Sequence, residues 1–164
     1  MATPARLEDC NALADVHRQS FARGWTADEL TRLINADNVI AFVCNRPAGL
    51  FRKASDEPRG FVLARIAADE AEILTIAVAQ DTRRLGAGKV LMQAVMNHLY
   101  AERIGALFLE VDETNTAARR LYESLNFKTV GDRKSYYSSG RDEEAGESHP
   151  SAPARALVMR CDLR

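Results

Sequence analysis

The stretch EILTIAVAQDTRRLGAGKVLMQAVMNHLY, from Glu72 to Tyr100, decides the fold. Its apolar, β-branched start predicts a buried strand from Ile73 to Val78. A polar, basic loop follows, and from Lys89 onward apolar residues recur at helical spacing. A strand that leads through a loop into a helix favours an anion site. The reason is that the first helical N–H groups lack partners and the helix dipole adds positive potential there.

The loop itself reads R-x-x-G-x-G from Arg83 to Gly88, and Lys89 follows it. Glycines let the backbone approach a ligand closely, and the basic residues favour a phosphate or pyrophosphate. The loop lacks the G-x-x-x-x-G-K-[ST] pattern of a Walker loop. It also lacks the third glycine of the dinucleotide fingerprint, because Leu91 stands there. Since G-x-G alone is a weak signal, a solvated glycine-rich turn remains the alternative.

Length and composition predict a single domain of ordinary globular type. The chain has 164 residues, of which 46% are hydrophobic and 27% charged. Its 22 basic and 23 acidic residues give a net charge of −1. Because there is no overall basic excess, we expect neither nucleic acid nor a membrane as the main partner.

The cysteines and the N-terminal residues predict a cytoplasmic protein. Cys10, Cys44 and Cys161 are far apart and include no C-x-x-C, which fits neither a zinc site nor a disulfide framework. No metal is therefore expected. The first residues lack the apolar run of a signal peptide, and no apolar run is long enough for a transmembrane helix.

Apolar periodicity along the chain predicts an α/β fold with a mixed sheet. Because a helix separates the strand before the basic loop from the strand after it, these two strands should be parallel. A hairpin loop is expected at 45–58 and a mobile acidic loop at 138–153. Helices are predicted at 9–21, 26–36, 89–100 and 116–125, and strands at 1–6, 39–44, 60–67, 73–78, 106–111, 127–130 and 156–161.

The second predicted helix begins with a capping box, Thr26 to Glu29. Trp25 lies directly before this cap. It is either a hydrophobic staple that packs on the helix or the wall of a substrate pocket between the first two helices. The sequence leaves both interpretations open.

A second informative stretch, LEVDETNTAARRLYESLNFKTVGDRKSYY, runs from Leu109 to Tyr137. Glu110 stands between apolar neighbours in a predicted buried strand, where a carboxylate costs free energy unless it is paired, hydrated or used in chemistry. Asn115 is placed to cap the next helix. Tyr122, two turns along that helix, is either a core residue or the carrier of a functional hydroxyl.

These motifs resemble the GNAT superfamily of N-acetyltransferases. R-x-x-G-x-G between a strand and a helix is similar to its acetyl-CoA site. LEVxxxNxxAxxLYxxxxF followed by G-x-R-x-x-YY resembles the bacterial RimI-type enzymes, which acetylate the N-terminal alanine of a small-subunit ribosomal protein. The resemblance covers nearly the whole chain, residues 6–159. It implies an acetyl-CoA-dependent enzyme with a mixed, mostly antiparallel sheet, a central splayed parallel strand pair and helices on both faces.

The resemblance also implies a role for each matching residue. The strand residues Ile76, Ala77 and Val78 would lend backbone groups to the acetyl-pantetheine arm. Glu110 would be the proton acceptor and Tyr122, which also contacts the cofactor, the proton donor to the leaving thiolate. The remaining CoA contacts would come from Arg83, Arg84, Leu85, Gly86, Ala87, Gly88, Lys89 and Asn115, and the substrate contacts from Trp25, Tyr136 and Tyr137.

Some features keep alternatives open. Glu72 resembles the general base of the superfamily's histone acetyltransferases, so it is the second candidate for the proton acceptor. Many relatives carry Pro-Trp-Ser where this chain has Gly24-Trp25-Thr26. They also carry Gly where it has Asn126. The first departure lies where substrate is gripped, so the reaction is better indicated than the substrate.

Three other functions fit parts of the sequence. The chain could acetylate a small-molecule amine or a lysine, although Tyr136 and Tyr137 favour a peptide substrate. It could be a non-catalytic CoA-binding module, which the presence of both Glu110 and Tyr122 disfavours. A nucleotide-binding regulator is disfavoured because Val90 stands where a Mg²⁺-holding Ser or Thr would follow the loop.

Overall fold

The computed structural model describes residues 1–45, 57–133 and 155–164. Residues 46–56 of the expected loop at 45–58 lie outside these ranges, as do the whole expected loop at 138–153 and Tyr136 and Tyr137. Its helices are α1 (Cys10–Arg18), α2 (Ala27–Ile34), α3 (Ala87–Ala101) and α4 (Thr116–Glu123). Its strands are β1 (Ala2–Pro4), β2 (Val39–Asn45), β3 (Pro58–Ala67), β4 (Glu70–Val78), β5 (Ala106–Asp112), β6 (Lys128–Arg133) and β7 (Ala156–Asp162).

The described strands form one mixed sheet in the order β1-β2-β3-β4-β5-β7-β6. The pairs β1–β2, β2–β3, β3–β4 and β6–β7 are antiparallel. Because helix α3 connects β4 to its neighbour β5, that pair is parallel. The predicted mixed, mostly antiparallel sheet with one parallel pair is therefore confirmed.

Two compact units make up the described chain. The first comprises residues 1–107 with 163–164, and the second comprises 108–162. Strand β5 begins in the first unit and continues in the second. That the chain behaves as one domain stays a prediction.

In the first unit, helices cover both faces of the sheet, as expected. Helices α1 and α2 pack their apolar sides on Phe61, Leu63 and Ala77. Gly60 faces the opposite way, and a Cβ added to it would lie 3.3 Å from the Leu91 Cδ1 atom of α3. A side chain at this position would therefore require small shifts of Leu91 and of Cys44, whose Sγ would lie 3.1 Å from the added Cβ.

The ends of the elements show where local chemistry changed the predicted boundaries. The capping box is present: Thr26 Oγ1 accepts from the Glu29 N–H at 3.2 Å, and the Glu29 carboxylate accepts from the Thr26 N–H at 2.8 Å. Helix α1 ends at Arg18, earlier than predicted, and a turn closed by Ser20 N–H to the His17 carbonyl follows it. Strand β4 begins at Glu70, because its first residues alternate between exposed and buried positions and pair with β3.

The second unit buries one side of β5 together with residues of α4 and β7. Leu109 and Val111 are buried, whereas Glu110 between them is exposed, so β5 alternates as a strand with one covered face. Tyr122, Phe127 and Met159 are also buried.

Cys10, Cys44 and Cys161 are free and buried. In the described ranges no group of three or more potential ligand residues could hold a metal ion. No helix described there is long and apolar enough to cross a bilayer.

Candidate active site

The N-terminus of α3, in the first unit, is where the sequence predicts an anion site, and it is called the α3 seat below. Gly86 is the N-cap residue and has φ of 82°, a conformation that glycine adopts without steric cost. No side chain caps this helix, and the first helical N–H with a partner in the helix is that of Val90, which donates to the Gly86 carbonyl at 3.1 Å. A Cβ added to Gly86 would meet nothing within 4 Å. The N–H groups of the first turn thus have no partner within the helix and no side-chain cap, and an anion bound to them stays a prediction.

The three basic residues of the loop differ in their contacts. Arg84, at φ 62°, and Lys89 make no hydrogen bond or ion pair with any residue that the structure describes. Their charges remain available for a ligand. Arg83 instead donates from Nε to the Val78 carbonyl at 3.0 Å and from Nη2 to Ser20 Oγ at 3.1 Å. The sequence analysis assigned all three to CoA contacts and did not anticipate these bonds of Arg83.

The last residues of β4 lead directly to this loop. Ile76, Ala77 and Val78 pair with Val62, Phe61 and Gly60 of β3. Ala77 is buried against the α1–α2 side of the sheet. The Val78 carbonyl is held by Arg83, so the end of β4 and the start of the loop are fixed to each other.

Glu72 lies near the beginning of β4, far from that end. It is exposed and stands opposite Arg65 of β3 in the register. Six residues separate it from Val78, which is about 20 Å along a strand. Its use as a base would thus require the reacting amine to lie well back along β4.

Glu110, in the second unit, is paired rather than buried. The expectation that it sits inside a buried strand is wrong for its side chain, which retains 36% of its accessible surface on the open face of β5. Its Oε1 lies 3.1 Å from Nη1 of Arg133 at the end of β6. The carboxylate is therefore both reachable and held by a cation.

Tyr122 is the most enclosed of the predicted site residues. Only 5% of it is exposed, and its ring packs on Phe127 with 5.9 Å between the ring centroids. Its hydroxyl makes no hydrogen bond with any described residue. The hydroxyl oxygen is also not completely enclosed, because it is absent from the set of fully buried polar atoms without a partner. Burial raises the pKa of Tyr122 to about 12. A protonated hydroxyl with a free hydrogen therefore persists at neutral pH.

Asn115 begins α4. Its side-chain oxygen accepts from the Ala118 N–H at 3.1 Å, so the capping interpretation holds. Two bonds from Thr114 to Asp112, both within 2.8 Å, shape the preceding turn and lower the pKa of the Asp112 carboxyl. The amide nitrogen of Asn115 is left free of the cap, and its contact with CoA stays a prediction.

The structure accounts for the environment of Trp25 and for the departure at Asn126. Trp25 packs against the cluster that contains Leu30, as a hydrophobic staple does, and its indole stacks on the His17 ring at 4.8 Å. Asn126 has φ of 67°. Asn tolerates this left-handed conformation better than most residues with a side chain, so it fits a position where a glycine would also fit. Substrate contact by Trp25 stays a prediction.

Two contributors to these surroundings had no role in the sequence analysis. Arg133, the partner of Glu110, appeared in the sequence analysis only as part of a motif. The alternation of apolar and polar residues in β5 was the one signal that Glu110 lies on an open face, where a cation can pair with it. His17 was placed correctly on a helix. It is buried, its Nδ1 accepts from the Trp25 N–H at 3.0 Å, and burial lowers its pKa.

Known proteins resemble this chain in sequence and in fold. The [ribosomal protein bS18]-alanine N-acetyltransferase of Salmonella typhimurium is 35% identical over 91 residues, which cover 56% of this chain and 62% of that protein. The chain thus spans less than two thirds of that relative's length. The crystal structure of the Escherichia coli ribosomal-protein-S18-alanine N-acetyltransferase superposes with a TM-score of 0.80 at 22% identity, over 99% of this chain and 93% of that one.

A plant enzyme shares the same fold. Arabidopsis thaliana NAA60, solved in complex with acetyl-CoA, has a TM-score of 0.76 at 20% identity, with 99% of this chain and 97% of that chain covered. The family model described as acetyltransferase (GNAT) family matches residues 10–127, which include the α3 seat, Glu110 and Tyr122. The chain belongs to the GNAT acetyltransferase family.

Proposed function

We propose that this protein transfers the acetyl group of acetyl-CoA to the N-terminal amine of a protein, and that its substrate is the N-terminal alanine of a small-subunit ribosomal protein. The single observation that carries the proposal is the family match over residues 10–127, which contain the uncapped α3 seat, Glu110 and Tyr122. The substrate follows from the relatives' names: the Salmonella protein is described as acting on the alanine of bS18.

The first unit supplies the cofactor seat in this proposal. The N–H groups at the start of α3, with Arg84 and Lys89 beside them, fit the pyrophosphate of CoA. The backbone at the end of β4, around Val78, would hold the pantetheine arm and donate an N–H to the thioester oxygen. Arabidopsis NAA60, which has the same fold, was solved in complex with acetyl-CoA, and this supports acetyl-CoA as the co-substrate.

The acceptor amine decides how strong a base the reaction needs. A protein α-amine has a pKa of about 7.7–8.0, so roughly a tenth to a sixth of it is neutral at pH 7. A lysine with a pKa of about 10.4 is neutral only about once in 2,500 molecules. Deprotonation thus costs about 1 kcal/mol for the first and about 4.6 kcal/mol for the second. An exposed, ion-paired carboxylate such as Glu110 suits the first task.

The proposed steps use two side chains of the second unit. The neutral amine attacks the thioester carbon, and Glu110, directly or through water, accepts the proton that the nitrogen loses. The C–S bond then breaks and the sulfur leaves as a thiolate. The Tyr122 hydroxyl donates a hydrogen bond to this sulfur, and the thiolate takes its proton from solvent.

The pKa of Tyr122 defines how it acts. A thiol has a pKa of about 8.5, whereas burial raises that of Tyr122 to about 12. Full proton transfer to the thiolate is thus uphill by about 3.5 pKa units, or roughly 5 kcal/mol. Tyr122 therefore acts chiefly as a hydrogen-bond donor to the developing negative charge, and solvent can complete the protonation.

Two peptides test the proposal. One has a free N-terminal alanine and no lysine; the other has a blocked N-terminus and one internal lysine. CoA release from acetyl-CoA is measured with each peptide, and mass spectrometry locates the acetyl group. We expect turnover on the first peptide alone. Turnover on the lysine peptide alone would move the base to Glu72. No turnover on either, with acetyl-CoA still bound, would leave a small amine or a binding role.

A further inference from the structure

Arg83 joins two parts of the first unit that are distant in sequence. Its Nε donates to the carbonyl of Val78, the last residue of β4, at 3.0 Å. Its Nη2 donates to Ser20 Oγ at 3.1 Å and to the Gln19 carbonyl at 3.4 Å. Gln19 is the C-cap residue of α1, so the guanidinium lies where a helix leaves carbonyls without partners and where its dipole favours a cation.

A backbone hydrogen bond strengthens this junction. The Gln80 N–H donates to the side-chain oxygen of Gln19 at 3.3 Å. The end of α1 is thus bonded to the segment between β4 and the anion loop by both a side chain and a backbone group. A guanidinium presents its donors in a rigid planar fork, so it fixes the angle between the groups it joins better than a lysine would.

The residues that Arg83 holds belong to the turn that carries Trp25. The N–H groups of Ser20 and Phe21 both donate to the His17 carbonyl, at 2.9 and 3.1 Å. The His17 ring stacks on Phe21 at 4.3 Å and on Trp25 at 4.8 Å, and its Nδ1 accepts from the Trp25 N–H. A continuous set of contacts therefore runs from Arg83 through the end of α1 to the indole.

We propose that Arg83 is a positioning residue for the acceptor amine: it fixes the α1–α2 turn, and with it Trp25, against the start of the anion loop. The inference rests on the proposed function and on the prediction that Trp25 contacts the substrate. It gives Arg83 a different task from Arg84, which lies next to it in the loop and has no partner among the described residues. Arg84 serves the cofactor, and Arg83 serves the acceptor.

Steady-state kinetics on the alanine peptide separate the two tasks. Arg83→Met keeps the aliphatic stem and removes the donors. We expect it to raise the KM for the peptide about tenfold, because positioning is lost, and the KM for acetyl-CoA about twofold or less. Ser20→Ala, which leaves the bond to Val78 intact, should raise only the peptide KM, by about twofold to threefold. Arg84→Met is the matched control, and it should raise the KM for acetyl-CoA and leave that for the peptide unchanged.

A second measurement needs no turnover, because Trp25 is the single tryptophan of the chain. In the free protein, Arg83→Met should shift the emission maximum of Trp25 and increase its quenching by acrylamide, whereas Arg84→Met should change neither. An inactive wild-type protein would contradict the proposed function, and the Trp25 emission would still decide whether Arg83 holds the turn. The inference is overturned if Arg83→Met leaves Trp25 emission unaltered or raises only the KM for acetyl-CoA.

Discussion

The α3 seat and the Glu110–Tyr122 region would perform their proposed roles with different chemical groups. The seat consists of backbone: an uncapped helix N-terminus and a glycine in the left-handed conformation. The second region depends on two side-chain groups, a carboxylate and a hydroxyl, and the backbone only carries them. A site made of N–H groups tolerates many side-chain changes but few conformational ones. A site made of side chains shows the opposite sensitivity, and each of the following predictions tests this contrast.

Removing the carboxylate should have the largest effect. In Glu110→Gln the shape is kept but no proton acceptor remains, so we expect kcat on the alanine peptide to fall about 100- to 1,000-fold. The residual rate should rise with pH up to about pH 8–9, because the fraction of neutral amine then increases without help from a base. The pH–rate profile of purified variant and wild type is the measurement.

Glu72→Gln is the matched control for that variant. It removes the carboxylate that lies near the start of β4, and the rate should change less than twofold. If Glu110→Gln keeps the wild-type pH–rate profile while Glu72→Gln loses activity, the base is Glu72 and the assignment in the second unit is wrong.

Tyr122→Phe should have the next largest effect on the rate. The ring can keep its packing on Phe127, and only the hydroxyl is lost. We expect kcat to fall about 10- to 100-fold with little change in the KM for acetyl-CoA, because the donor acts on charge that develops in the transition state. The control is Tyr100→Phe, since Tyr100 is 64% exposed on α3. Normal turnover by Tyr122→Phe would demote this tyrosine to core packing.

Much of the fold follows from periodicity in the sequence. The strand before the loop, the crossover helix α3 and the return strand β5 were predicted because apolar repeats of two and of about 3.6 residues are local properties. The alternation of side chains along a strand also predicts that Glu110 is exposed. With Leu109 and Val111 buried, the residue between them has to face the other way. The sequence analysis treated the strand as buried on both faces and missed this.

The contacts of Arg83 could not be predicted in the same way. Its partners Gln19 and Ser20 are 64 and 63 residues away in sequence, and no local pattern links them. A basic residue beside a glycine loop suggests a phosphate ligand, yet a helix C-terminus attracts the same charge. The carbonyl of Gln19, at the C-terminus of α1, reaches Arg83 only because α1 packs against β3 and β4.

Alkaline stability gives a third test of the side-chain region. Because burial raises the pKa of Tyr122 to about 12, the folded state keeps its proton where the unfolded chain, near pKa 10, loses it. The free energy of unfolding should therefore fall as the pH rises above about 10, by about 2 kcal/mol at pH 11.5. Urea unfolding of wild type and Tyr122→Phe over this range isolates the effect, since the variant should lack this part of the decline. Parallel curves would show that the hydroxyl is not enclosed.

The backbone-built seat should respond to a change of conformation rather than of chemistry. Gly86→Ala adds one methyl group into open space, so any effect comes from holding alanine at φ of 82°. We expect a loss of about 1 kcal/mol in unfolding free energy and a KM for acetyl-CoA raised by a few fold. Gly131→Ala is the matched control: its added methyl also meets nothing within 4 Å, and Gly131 is not among the residues with positive φ. Equal losses in the two variants would mean that φ at Gly86 is not what sustains the seat.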